Sequence, residues 1–107
     1  MRESDWKKIQ AMLPTLRERY LAARNARITA ILADPAKTET DRFWTVATLV
    51  NKEAKVLHDC LDGHSRSKMW LYMLNMIRAG MLTREDISGF SEELQKEMAY
   101  VFTGRKG

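Results

Sequence analysis

The chain has 107 residues, 45% of them hydrophobic, with only five glycines and two prolines; this composition suits one globular domain and argues against a long disordered segment. No apolar run approaches the ~20 residues of a membrane-spanning helix, and the start, Met-Arg-Glu-Ser-Asp-Trp, is not followed by the apolar stretch of a secretory signal. The formal charge of +4 lies wholly in the first third: residues 1–33 hold seven Lys and Arg against three Asp and Glu, whereas residues 34–107 hold eleven of each.

Residues 4–33 read as one long helix. Ser4 is a suitable N-cap, and Asp5 follows in the first turn, where the helix dipole favours an acid. Trp6, Ile9, Leu13, Leu16, Tyr20, Ile28 and Ile31 recur at three-and-four spacing. Pro14 interrupts the pattern and removes one helical hydrogen bond, which predicts a kink there or a division into two helices. Asp34-Pro35 ends the segment.

Thr38 or Thr40 caps a second helix that runs to about Asp62, with Gly63 as its terminator. Within it Phe43, Ala47, Val50, Ala54, Leu57 and Leu61 step at 4-3-4-3-4. An ideal helix confines that series to about 80° of arc, a narrow seam of the kind found in bundles and coiled coils. A third helix, capped by Ser65 or Ser67, reaches Ala79 and closes on Gly80. Its stretch from Met69 to Ile77 is apolar on nearly every side, which places it at the bundle centre or in a subunit interface. Thr83-Arg-Glu-Asp86 looks like a capped start, and Ile87, Phe90, Leu94, Met98 and Val101 form the last stripe. Gly89 to Ser91 offers a break within it. The expected fold is therefore all-α: an antiparallel bundle of four main helices, or five with a break, spanning residues 1–103, with a flexible tail over 104–107.

Three features bear on function. Arg17 and Arg24 fall inside the apolar stripe of the first helix, with Arg27 beside it. Either their stems cover the core while the guanidinium groups reach water, or Arg17, Tyr20, Arg24 and Arg27 belong to an interface where arginines pair with carboxylates or stack on aromatics. Met69, Met73 and Met76 share one face at i, i+4, i+7. With Trp70, Leu74 and Ile77 adjoining, they suggest more apolar surface than one chain can hide, and hence a homodimer. His64, Arg66 and Lys68 surround a helix start, where a phosphate contact is chemically reasonable.

Metal binding is not expected. His58, Cys60, Asp62 and His64 lie together, but the chain has no other His or Cys to complete a diagnostic ligand pattern. No cofactor motif is present, and Cys60 beside Asp59 lacks the surroundings of a reactive thiolate. A single cysteine and the absence of a leader pattern point to a reducing cytoplasm. The turn from Arg78 to Ile87 resembles part of the helix-turn-helix of small transcriptional repressors over about ten residues. Its following helix, however, carries Glu92, Glu93 and Glu97 against Lys96 alone, and phosphate repels that surface. The leading expectation is a noncatalytic interaction or regulatory protein acting as a helical homodimer. The alternative is a nucleic-acid-binding accessory protein that uses the basic first helix.

Overall fold

The computed structural model describes residues 1–104 and is all-α: among them, five α-helices and one 3-10 turn, with no strand. Helix α1 spans Glu3–Ala33 and α2 spans Glu39–Leu61. A 3-10 turn at Arg66–Lys68 leads into α3, Met69–Arg78. The short α4 covers Arg84–Ile87, and α5 covers Glu92–Gly104. The fifth helix arises at the Gly89–Ser91 break. Of the expected flexible tail, Gly104 belongs to α5 and residues 105–107 lie outside the described region.

Pro14 sits within one uninterrupted α1, so division into two helices does not occur. The residue is exposed, which leaves the carbonyl it frees within reach of water. Arg2 rather than Ser4 occupies the α1 cap position, without a side-chain cap. Asp5 is 3% exposed and serves a different helix. Its carboxylate accepts from Ser91 N at 2.9 Å and Ser91 Oγ at 2.6 Å, while Ser91 Oγ accepts from Leu94 N at 3.2 Å. One buried acid thus supports the start of α5 through its capping serine.

Thr38 caps α2 by accepting from Asp41 N. Gly63 and Gly80 both take the positive φ expected at helix ends, 76° and 79°. Neither Ser65 nor Ser67 caps α3 with its side chain; the 3-10 turn takes the place of that cap. Thr83 and Asp86 form a complete capping box at α4.

The buried core joins Ile9, Leu16 and Tyr20 of α1 and Cys60 of α2 to Met69, Met73, Leu74, Met76 and Ile77 of α3. Met81, Leu82, Ile87 and Phe90 add to it, as do Leu94, Met98 and Val101 of α5. All of this lies at one end of the α1–α2 hairpin. Beyond Tyr20 the hairpin runs on for 13 residues of α1, about 20 Å, as an arm whose one buried apolar residue is Leu49. The molecule measures 51 × 27 × 17 Å, with a radius of gyration of 16.3 Å, where a compact chain of this length has about 13 Å.

Candidate interaction surface

The side of α2 that packs against α1 is not the regular heptad seam. Leu49 and Cys60 are buried, with Val46, Glu53 and Val56 half-buried between and beside them. This series is displaced by one residue, about 100°, from Phe43, Ala47, Val50, Ala54, Leu57 and Leu61. Leu57 and Leu61 do pack against the core. Phe43 and Val50, however, are 62% and 45% exposed, and Ala54 is exposed as well. The seam therefore begins in the core and runs out along the arm largely exposed, with Ala47 half-buried.

Glu53 is the reason the true packing side is disguised, because it places a charge in the middle of an apolar series. Its carboxylate accepts from Tyr20 OH at 2.5 Å and lies 2.9 Å from Arg24 Nε. That N–H is not aligned as a proper hydrogen bond, so the contact is an ion pair. The Arg24 guanidinium also lies over the Tyr20 ring, 4.3 Å from its centre. Burial and the adjacent Glu53 together raise the Tyr20 hydroxyl above its ordinary pKa. Burial on its own would lower Arg24, but Tyr20 and Glu53 outweigh it and hold Arg24 above its ordinary value. Arg24 thus finds its carboxylate and its aromatic ring within its own chain, instead of at the interface that the sequence suggests.

Arg17 and Arg27 are not drawn into this cluster. Both are exposed, and Arg27 borders an open groove with Ile31, Trp44, Thr48 and Lys52. Elsewhere on α1 and at its cap position the basic groups are engaged. Arg19 pairs with Asp86 at 2.5 Å, Arg2 pairs with Glu93 at 3.3 Å, and Lys8 donates to Gly89 O. Lys7, Arg17 and Arg27, without a hydrogen bond or ion pair among the described residues, point in separate directions around α1 instead of forming a basic stripe.

The methionine face requires correction. Met69, Met73 and Met76 are fully buried inside the single chain and offer no surface to a partner. The core of α3, α5 and the base of the hairpin is large enough to enclose them, and Trp70 and Leu71 instead turn outward.

The three residues expected at a phosphate also separate. His64 Nε2–H donates to Cys60 O at 2.7 Å, and its ring packs edge-on against Tyr72. Arg66 pairs with Glu3. Lys68 lines a cleft that it shares with His58, Asp59, Asp62 and Arg78, so the charge there is mixed. His58 is held by Asp62 at 2.8 Å. Burial, helped by Asp59, pushes the Cys60 thiol up to about 11, which keeps it protonated and unreactive. Among the described residues, no group of His, Cys, Asp and Glu is placed to hold a metal ion.

A second seam runs along α1 at 4-3-4, with Leu21 and Ile28 half-buried and Asn25 and Leu32 exposed. Relative to the packed sides at Tyr20 and Leu49, this series and Phe43–Ala47–Val50–Ala54 both lie about 80–160° around their helices, in the same rotational sense. In an antiparallel hairpin that sense brings both seams to one face. Among the α1 residues that meet the rest of the fold, Asp5, Lys8, Met12 and Arg19 lie about 60–120° around the other way, while Glu3, paired with Arg66, lies about 100° round on the seam side. At its base the hairpin is covered by α3–α5 mainly on one face, although Arg66 reaches Glu3 on the other, and along the arm that other face carries two apolar seams of half-buried and exposed residues. Periodicity could have found the α1 seam, but Asn25 interrupts it as Glu53 interrupts the packed side of α2.

No helix among the described residues is long and apolar enough to cross a membrane. Comparison with protein-family models, with curated proteins and with solved structures finds no match for the chain.

Proposed function

We propose that the chain is a small noncatalytic interaction protein, acting as a helical homodimer in the cytoplasm, whose contact surface is the uncovered face of the α1–α2 hairpin. The observation that carries this reading is the set of large exposed apolar side chains on that face of the arm: Leu32 at 52%, Phe43 at 62% and Val50 at 45%. Scattered exposed apolar residues need no explanation, but a contiguous face of them rimmed by polar groups marks an interaction site.

Light scattering on the wild type and on Val50→Lys tests the reading. The wild type is expected at the mass of two chains. The variant is expected at the mass of one, with an unchanged circular-dichroism spectrum, because Val50 does not belong to the buried core. A wild type that stays at one chain mass at its highest soluble concentration overturns the homodimer. A variant as dimeric as the wild type removes this face from the contact.

A further inference from the structure

The two seams share a centre, and that fixes how a second copy fits. In antiparallel helix pairs the residues of a seam face one another in reverse order. For α2 running against itself, Phe43 then faces the partner subunit's Ala54, and Ala47 faces the partner subunit's Val50. Large meets small at both levels, and the pairs are centred between Thr48 and Leu49. For α1, Leu21 faces the partner subunit's Leu32 and Asn25 faces the partner subunit's Ile28, centred between Ala26 and Arg27. These two centres lie across from each other in the hairpin. Glu53 meets Tyr20 and Arg24 on one side of them, and Arg42 reaches the Asp34 carbonyl on the other. Interpolating between those contacts places the α2 centre opposite the α1 centre to within about one residue at 1.5 Å per residue. A single twofold axis across the arm therefore satisfies both helices at once.

Resting on the homodimer reading above, we infer that two copies pair hairpin face to hairpin face with their arms antiparallel, α1 on α1 and α2 on α2. The result is a four-helix bundle with the two α3–α5 assemblies at opposite ends. A C2 interface must be self-complementary, so each position has to meet its own image across the axis. The large–small alternation of Phe43, Ala47, Val50 and Ala54 meets that condition. The heads raise no obstacle, because they pack mainly on the opposite face and their contact on the seam side, Arg66 with Glu3, lies at the start of α1, far from the arm.

A size-swap experiment tests the register. Ala54→Phe alone sets the introduced ring against the partner subunit's Phe43 at two symmetric places and should weaken dimerisation at least tenfold, as overpacking does. The double variant F43A/A54F restores the large–small pairing and should return the dissociation constant to within a few-fold of wild type. Ala54 is exposed in the single chain, so its replacement leaves the fold intact. A second measurement uses protein carrying Cys60→Ala: mixing A47C with V50C should give a disulfide-linked heterodimer on mild oxidation. A wild-type dimer that Val50→Lys dissociates, but that shows neither rescue nor the 47–50 crosslink, overturns the antiparallel register while leaving the contact face standing. A monomeric wild type overturns the homodimer reading itself.

Discussion

Replacing Glu53 with glutamine probes what joins the arm to the core end of the molecule. Glutamine keeps an oxygen for the Tyr20 hydroxyl but removes the charge that faces Arg24. The side chains of Arg24 and Glu53 are 31% and 12% exposed, so the pair is neither a surface contact nor fully dehydrated. An exposed ion pair contributes about 0–1 kcal/mol, whereas a partly buried interaction with a charged group contributes about 1.5–3 kcal/mol. The geometry favours the upper range, and about 2 kcal/mol is expected. At an unfolding entropy of about 2.1 cal/mol/K per residue, that loss lowers Tm by about 9 °C. The measurement is thermal and urea unfolding in a Val50→Lys background, so that dimerisation does not contribute. A cycle with Arg24→Met should give a coupling of at least about 1 kcal/mol, since removing both charges spares the remaining partner its isolation. A Tm change under about 2 °C, or a coupling near zero, would refute the claim that this cluster holds the two helices in register.

Asp5→Ala should cost about 2 kcal/mol by urea denaturation, because it strips Ser91 of both its acceptor contacts in a buried setting; a cost below about 0.5 kcal/mol would refute the shared-cap account. The Asp86 carboxyl would be raised by burial alone, but Arg19 and the Thr83 backbone and hydroxyl outweigh this and hold it below its ordinary value. Its contribution is therefore full above the unfolded-state pKa near 4 and is lost as pH falls through the lower folded-state value. Unfolding free energies followed down through that range should fall less steeply in Asp86→Asn than in wild type, and identical slopes would contradict this. With its thiol pushed up to about 11, Cys60 should react with a chromogenic disulfide at pH 8 far more slowly in the native protein than in denaturant. Equal rates would show that the thiol is accessible.

Helix number, the turn glycines and the Thr83 capping box were all legible because each rests on local chemistry. Gly63 and Gly80 stand where only a positive φ continues the chain, and Thr38 and Thr83 stand where the first free N–H groups need an acceptor. The packed side of α2 was not legible. Its apolar series is broken by Glu53, whose partners Tyr20 and Arg24 lie in another helix, while a cleaner heptad runs one residue away. Regular spacing showed that a seam exists without showing whether the chain's own core or a second molecule covers it. The methionine face failed for a related reason. Whether Met69, Met73 and Met76 are hidden depends on how α5 and the base of α1 close over them, and neither fact is contained in α3. Arg24 illustrates the same limit: its pairing chemistry could be read from its position, but its partner could not.

The two ends of this molecule should form on different timescales. At the hairpin tip, Asp34 Oδ1 accepts from Ala36 N, Thr38 caps α2, and the Arg42 guanidinium donates to the Asp34 carbonyl, all within a separation of eight residues. At the other end, Asp5 must find Ser91 across 86 residues of chain before the last helix is anchored. Closing the short loop sacrifices little chain entropy, and closing the long one sacrifices more. During refolding, the arm's turn should therefore gain protection from hydrogen exchange before the start of α5 does.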